Sequence, residues 1–287
     1  EVQLYHSEKP VAIIPSLAPH LKRGDAETKL DPQKELIPVF GLWKKDEPHS
    51  FLDEVAEKLQ IDKADILDYD LYLYNCDSCQ MIGDSGVFTS PRIDNVSSVS
   101  AILESLVRTG NKWKEEKAKG TEAALADEKI SEADGSDMNL DIGVFFDNEE
   151  IGSLSKQGAD SGLLRMITER ILKDSGESRT IQELLPEIFL ISLDVAHGTH
   201  PNYQEKSDPV NRVLLGNGVV LKSSASQRYV TDSEAAAVIQ VLCEDEKIPF
   251  QRTVNKTGMP GGTTLGPIVS SYLPVKAVDM GMPVLAM

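Results

Sequence analysis

The segment Val144-Phe145-Phe146-Asp147-Asn148-Glu149-Glu150-Ile151-Gly152 puts two adjacent carboxylates between an apolar run and a glycine. Read as a buried strand, the run delivers Glu149 and Glu150 to one spot at its C-terminal end, where open α/β sheets bind ligands. Two carboxylates there suit one metal ligand and one general base. The same residues also suit the first turn of a following helix, where acids oppose the helix dipole. Two further segments matter. Ser90-Pro91-Arg92-Ile93-Asp94-Asn95 precedes an apolar-periodic run over 96–107, so Asp94 taken singly reads as a helix N-cap. Residues 187–194 form a second apolar run ending on an acid, Asp194, followed by Val195-Ala196-His197-Gly198-Thr199-His200. Three acidic edge positions on one sheet look like a site for divalent cations.

The elements that must position these acids fall into two regions. To about residue 83 the chain is a small mixed α/β unit. Residues 10–14, 36–42 and 67–74 read as strands, and 51–59 as a helix capped by Ser50. From residue 84 onward, strands alternate with helices, which argues a largely parallel sheet with helices on both faces. The spacing predicts a helix over 159–173 with Leu163, Leu164, Ile167 and Ile171 on one stripe, and Met166 filling the core beside them. Thr231-Asp232-Ser233-Glu234 opens another helix whose stripe is Ala237, Ile239, Val241 and Leu242. Residues 275–278 read as one more buried strand. Gly261-Gly262-Thr263-Thr264 is either a tight turn or a set of backbone N–H groups cradling an anion at a helix start. The segment 111–139 is rich in Lys, Glu, Ala, Asp, Gly and Ser and reads as a solvated insert.

Composition narrows the partners. The chain has 287 residues, enough for two domains, and a formal charge of −17. Such a surface repels nucleic acid and anionic membranes, so neither is expected as a partner. No apolar run approaches a membrane span, and no signal peptide is evident. Cys76 and Cys79 form a lone C-x-x-C without the second pair of a structural zinc site, and Cys243 makes the total odd. There is no H-E-x-x-H, no G-x-S-x-G and no Walker loop. The chain opens on Glu1 and closes on Ala286-Met287, which reads as a fragment of a longer protein.

Six ordered segments resemble the aspartyl aminopeptidase family, which includes the fungal vacuolar aminopeptidase I group. They are Pro91-Arg92-Ile93-Asp94-Asn95, Asp147 to Ser153, Asp194-Val195-Ala196-His197, His200-Pro201-Asn202-Tyr203, Gln227-Arg228-Tyr229 and Gly262-Thr263-Thr264-Leu265-Gly266-Pro267. The stretch 14–21 is also similar to the family's inserted dimerisation domain.

The resemblance implies a zinc aminopeptidase-like catalytic α/β domain over 84–287, with residues 1–83 as part of the smaller, β-rich dimerisation domain. It implies a zinc metalloaminopeptidase with two divalent metal ions, acting on the N-terminal residue of peptides and preferring Asp or Glu there. By that match Asp94 bridges both ions, Glu150 and Asp194 each bind one, and Glu149 is the general base. Lys222 and Tyr229 match the side-chain pocket, His200 a position near the reacting carbonyl, and His20 a residue reaching a neighbouring subunit. The residues alone leave Lys222 as a strand-edge charge in solvent and His197 as a satisfied core histidine. The implied assembly is a dimer-based homo-oligomer, up to a dodecamer, in the cytoplasm or the vacuole. The family's two His ligands, in His-Thr-Asp-Ser and Ala-Met-His-Ser segments, have no match here. The alternatives are therefore an inactive truncated relative kept for assembly or binding, and a vacuolar enzyme of broader specificity.

Overall fold

The computed structural model describes residues 1–21, 30–47, 49–119, 140–259 and 261–286. Most of the expected insert, 120–139, lies outside these residues. The chain divides into two compact units, Glu1–Ser78 and Cys79–Met287.

In the first unit, helix α1 is the single turn Pro32–Glu35, capped by Asp31, and α2 spans Phe51–Leu59. The head of α2 is fixed by Asp53. Its carboxylate accepts the Ser50 amide at 2.7 Å and the Ser50 hydroxyl at 2.8 Å, and it pairs with Lys63 at 2.7 Å. Phe51 then packs edge-on against Tyr5 and Phe40, with ring centroids 5.9 and 5.6 Å apart. The strands expected over 10–14 and 36–42 shrink to one antiparallel bridge, Ile13 to Val39. Residues 67–74 form no strand, although their composition favours one. A strand exists only where a second backbone pairs with it, and composition cannot supply that partner. His20 sits on a short helical turn, Pro19–Leu21, and is exposed.

The second unit opens with an antiparallel hairpin, β1 (Gln80–Ile82) and β2 (Val87–Thr89). Helices α3 (Ile93–Lys119), α4 (Leu163–Ser175) and α5 (Ile181–Leu184) follow. The remaining elements are β3 (Phe189–His197), β4 (Val219–Ser223), α6 (Ser233–Asp245), β5 (Phe250–Val254), α7 (Leu265–Tyr272) and β6 (Lys276–Val284). The four longer strands form one sheet in the order β3-β6-β4-β5. The β3/β6 and β4/β5 pairings are parallel and β4/β6 is antiparallel, so the sheet is mixed.

Side chains alternate across a strand, so register decides which residues share a face. On one face Phe189, Leu221, Val278 and Met280 pack against Ala235, Ala236, Ile239 and Cys243 of α6. On the other, Leu190 joins a cluster with Ile181, Val269, Leu273, Leu164 and Leu172. The α6 stripe is therefore 235, 236, 239 and 243, not the expected 237, 239, 241 and 242. Val241 and Leu242 stay more than half exposed, because the 235, 239, 243 series and the adjoining Ala236 are what point at the sheet. In α4, Leu163, Ile167 and Met166 likewise face outward, which corrects both the predicted stripe and the core role of Met166.

Asp232 caps α6 as expected: one carboxylate oxygen accepts the Ala235 amide at 2.7 Å. Its other oxygen accepts the Ala277 amide at 2.9 Å, stapling the helix to β6. We expect Asp232→Ala to lower the unfolding free energy by about 2 kcal/mol, through a lost cap and an unpaired strand amide. Asp232→Asn should recover part of the loss. Urea denaturation of the three chains checks this.

Candidate functional site

Asp94 lies near the start of α3, but the backbone there is not helical. Its φ/ψ are −80°/110°, those of Asn95 are −121°/25°, and a cis peptide joins the two. Asp94 is therefore on a kink and does not cap a regular helix. Asn95 anchors the kink by donating its side-chain amide to the Leu193 carbonyl at 3.2 Å, one residue from Asp194. Residues 144–146 are not a strand. Glu149 and Glu150 lie on a short helical turn, Glu149–Ile151, set between left-handed Asn148 (φ 61°) and Gly152 (φ 103°). The turn is tied by Ser153 N to Asn148 O at 2.9 Å and by the Asn148 side chain to the Ser155 hydroxyl at 2.9 Å. Nor does Asp194 end its strand, because β3 runs on to His197. The parallel pairing with β6 places Gly281 opposite Asp194, and a Cβ there would fall 1.7 Å from the Asp194 carbonyl oxygen. Only glycine allows the two strands to approach so closely beside the acid.

Four acids thus come from three separate pieces of chain into one field. Burial and then the charge and hydrogen bond of Asp194 raise the Asp94 carboxyl to about 7, with Glu150 and Glu149 adding to the effect. Burial, followed by the charges of Glu150 and Asp194, raises Glu149, while Lys222 opposes the rise. Like charges held close together in a half-buried site favour the protonated form.

Lys222, on β4, is the buried countercharge. Its side chain is 2% exposed, which corrects the solvent strand-edge reading. The ammonium donates to the Val195 carbonyl at 2.9 Å, lies 3.4 Å from Asp194 Oδ2 and sits 5.2 Å from the centre of the Tyr229 ring. Tyr229 is itself buried, and its hydroxyl reaches Asn255 at 3.4 Å. One ammonium does not balance four carboxyls, so the chemistry of the donors suits a divalent cation. The arrangement fits in charge more than in coordination. Among the described residues, no three His, Cys, Asp or Glu side chains stand close enough to hold one ion.

The other expected residues have these settings. His200 accepts the Asn202 amide at 3.2 Å through Nδ1 and tilts against Tyr203, within its own loop. His197 is exposed at the end of β3, which corrects the core-histidine reading. His20 belongs to the first unit. Cys76 and Cys79 are exposed and unpaired with each other. The segment before α7 ends in Thr264 as N-cap, without a side-chain cap bond. Two residues were missed. Asn95 ties the Asp94 kink to β3, and Asp279 is a fully buried carboxylate on β6. A lone acid inside Ala277-Val278-Asp279-Met280 was a legible signal for the latter.

Comparison with known proteins gives these features a context. A family model described as aminopeptidase I zinc metalloprotease (M18) matches residues 1–287. A probable M18 family aminopeptidase 2 from Clostridium novyi (strain NT) is 36% identical over 292 residues, covering 100% of this chain and 62% of that protein. The chain therefore spans under two thirds of that relative's length. Among solved structures, mApe1 of Chaetomium thermophilum aligns with a TM-score of 0.69 at 26% identity, over 100% of this chain and 61% of that one. The mApe1 dodecamer of S. cerevisiae aligns with a TM-score of 0.70 at 20% identity, over 98% and 57% respectively. With a family match along its whole length and the same α/β fold in its structural neighbours, the chain belongs to the M18 family of aminopeptidase I zinc metalloproteases.

Proposed function

We propose that the full-length protein is a metal-dependent aminopeptidase that removes the N-terminal residue of peptides using two divalent ions, with zinc as the metal. The observation that supports this best is the convergence of Asp94, Glu149, Glu150 and Asp194, whose charges add to burial in raising the Asp94 carboxyl to about 7. Asp94, Glu150 and Asp194 would hold the metal. When bound, zinc supplies Lewis-acid polarisation of the scissile carbonyl and acidifies water. Glu149 is the group left to accept a proton, and its raised proton affinity brings it nearer the working range of a general base. Lys222 and Tyr229 form a buried, cationic wall beside the acids, which supports a preference for an acidic N-terminal residue. His200 and His20 stay as proposed substrate contacts.

We also propose a homo-oligomer built from dimers through residues 1–83, up to a dodecamer, the assembly that the S. cerevisiae mApe1 neighbour forms. The proposed compartment is the cytoplasm, with the vacuole as the alternative. A second reading, that this chain by itself is inactive, is favoured by the incomplete coordination set among the described residues.

Glu149→Gln in the full-length protein should lower kcat by about 10²–10⁴ while zinc content stays near wild type. Turnover at the wild-type rate would move the base elsewhere, and zinc loss would make Glu149 a ligand. Lys222→Met should reduce kcat/KM for Asp- and Glu-starting peptides roughly tenfold more than for Leu-starting ones, as for loss of a charged hydrogen bond. Equal loss for both classes, measured with zinc content in parallel, would make Lys222 only the counter-ion of Asp194.

The metal reading also fixes a pH dependence. The Asp94 carboxyl is raised in the folded chain from 3.8 to about 7. Its contribution to stability is therefore present below the ordinary carboxylate value and is lost as pH rises through about 7. Without metal, Asp94→Asn should melt like wild type at acidic pH and above it beyond neutrality. Zinc should reverse that order, because only the carboxylate gains from the cation. Melting curves at both pH values, with and without zinc, check the sign.

A further inference from the structure

Asp279 is 0% exposed on β6, directly across the antiparallel register from Lys222. Burying a carboxylate is costly unless its oxygens are well used, and its bonds show what this one holds. One carboxylate oxygen, Oδ2, accepts the Val230 amide at 2.6 Å, immediately after Tyr229. The Asp279 amide donates to the Thr231 hydroxyl at 2.8 Å, which in turn donates to the Lys222 carbonyl at 2.5 Å. On the other side the carboxylate meets the head of α7. A Cβ on Gly266 would lie 2.8 Å from Oδ2 and 2.6 Å from a Val230 methyl. Burial raises the carboxyl's proton affinity, and Ser192, the Val230 amide, the Lys222 charge and Thr264 oppose the rise. Oδ1 and the buried Thr264 hydroxyl nevertheless lack a hydrogen bond of full geometry. The two loops touch each other as well, through the Thr263 hydroxyl and the Arg228 carbonyl at 3.1 Å.

We propose that Asp279 is the positioning residue that holds two segments, the loop 224–231 and the loop-to-helix junction 261–266, beside the buried Lys222. It touches neither the candidate metal acids nor a substrate, so it acts through the groups it orients. Tyr229 is set by the Val230 anchor that follows it, and Thr263 and Thr264 by the head of α7. Lys222 stands between two acids, Asp194 at 3.4 Å and Asp279 across the strand pair, so its ammonium is confined from both. The wall beside the acids is then one preassembled unit, and Asp279 is its keystone. For its kinetic consequence this inference rests on the aminopeptidase reading.

The test uses the full-length protein with Asp279→Ala, Asp279→Asn and Gly266→Ala. Asp279→Ala should raise KM for aminoacyl-chromophore substrates about tenfold, with a smaller change in kcat and unchanged zinc content, as for loss of a bond to a charged group. Hydrogen–deuterium exchange should speed up in 224–231 and 261–266 together, and not in β3. Asp279→Asn can still accept the Val230 amide and should restore protection and most of KM. Gly266→Ala pushes on the same carboxylate from the helix side and should loosen the same two segments, so it stands in if the Ala variant fails to fold. Wild-type KM and exchange in a folded Ala or Gly266→Ala variant would overturn the proposal, as would zinc loss or exchange raised throughout the chain. If the unsubstituted protein turns over no aminoacyl substrate, the aminopeptidase reading fails, and the exchange experiment still decides the role of Asp279.

Discussion

The constraint behind the second unit is the repulsion among Asp94, Glu149, Glu150 and Asp194. Three half-buried carboxyls with the exposed Glu150 beside them would separate if their backbones were free to move. Each is held by something stiff. Asp194 lies inside a nine-residue parallel pairing, Glu149 and Glu150 on a turn locked by Asn148 and Ser155, and Asp94 on a kink tied to β3 by Asn95. The framework thus holds an unfavourable charge arrangement ready for a cation, and the preorganisation is stored in backbone bonds rather than in the acids themselves.

Lys222 shows how the fold limits that repulsion without removing it. By the alternation rule Ser192, Asp194, Lys222, Asp279 and Gly281 share one face of the sheet, opposite the face that Leu221, Val278 and Met280 turn to α6. The β4/β6 pair thereby separates a dry apolar layer from a face that sets charged residues among apolar ones. The net −17 of the chain makes a buried ammonium in this layer the more consequential.

What the sequence revealed depended on how far each interaction reaches. The Asp232 cap and the Ser50 start of α2 were legible because a side chain there bonds backbone only three residues away. The acids Asp94, Glu149, Glu150 and Asp194 were legible as chemistry, and the family resemblance supplied their grouping. Their local settings were not legible: a kink, a turn and a mid-strand position replaced a cap and two strand ends, because pairing partners lie far along the chain. The pairing of Lys222 with Asp194 spans 28 positions and leaves no local trace. The same reason explains residues 67–74, whose strand-like composition met no partner. Helix stripes failed more simply, since α4 and α6 carry more apolar residues than their sheet-facing sides can bury.

The strand order β3-β6-β4-β5 has a temporal side. The strand β6 is made last of the four, yet it sits between β3 and β4 and is the only one paired with both. Until it inserts, Asp194 and Lys222 belong to strands with no common neighbour, and the buried ammonium has no fixed route to its acid. During synthesis the chain therefore exposes both halves of the charged layer unpaired, and closes them in one late, non-local step. A nascent chain stalled after residue 222 and before residue 276 would carry all four acids and the lysine, but no assembled site.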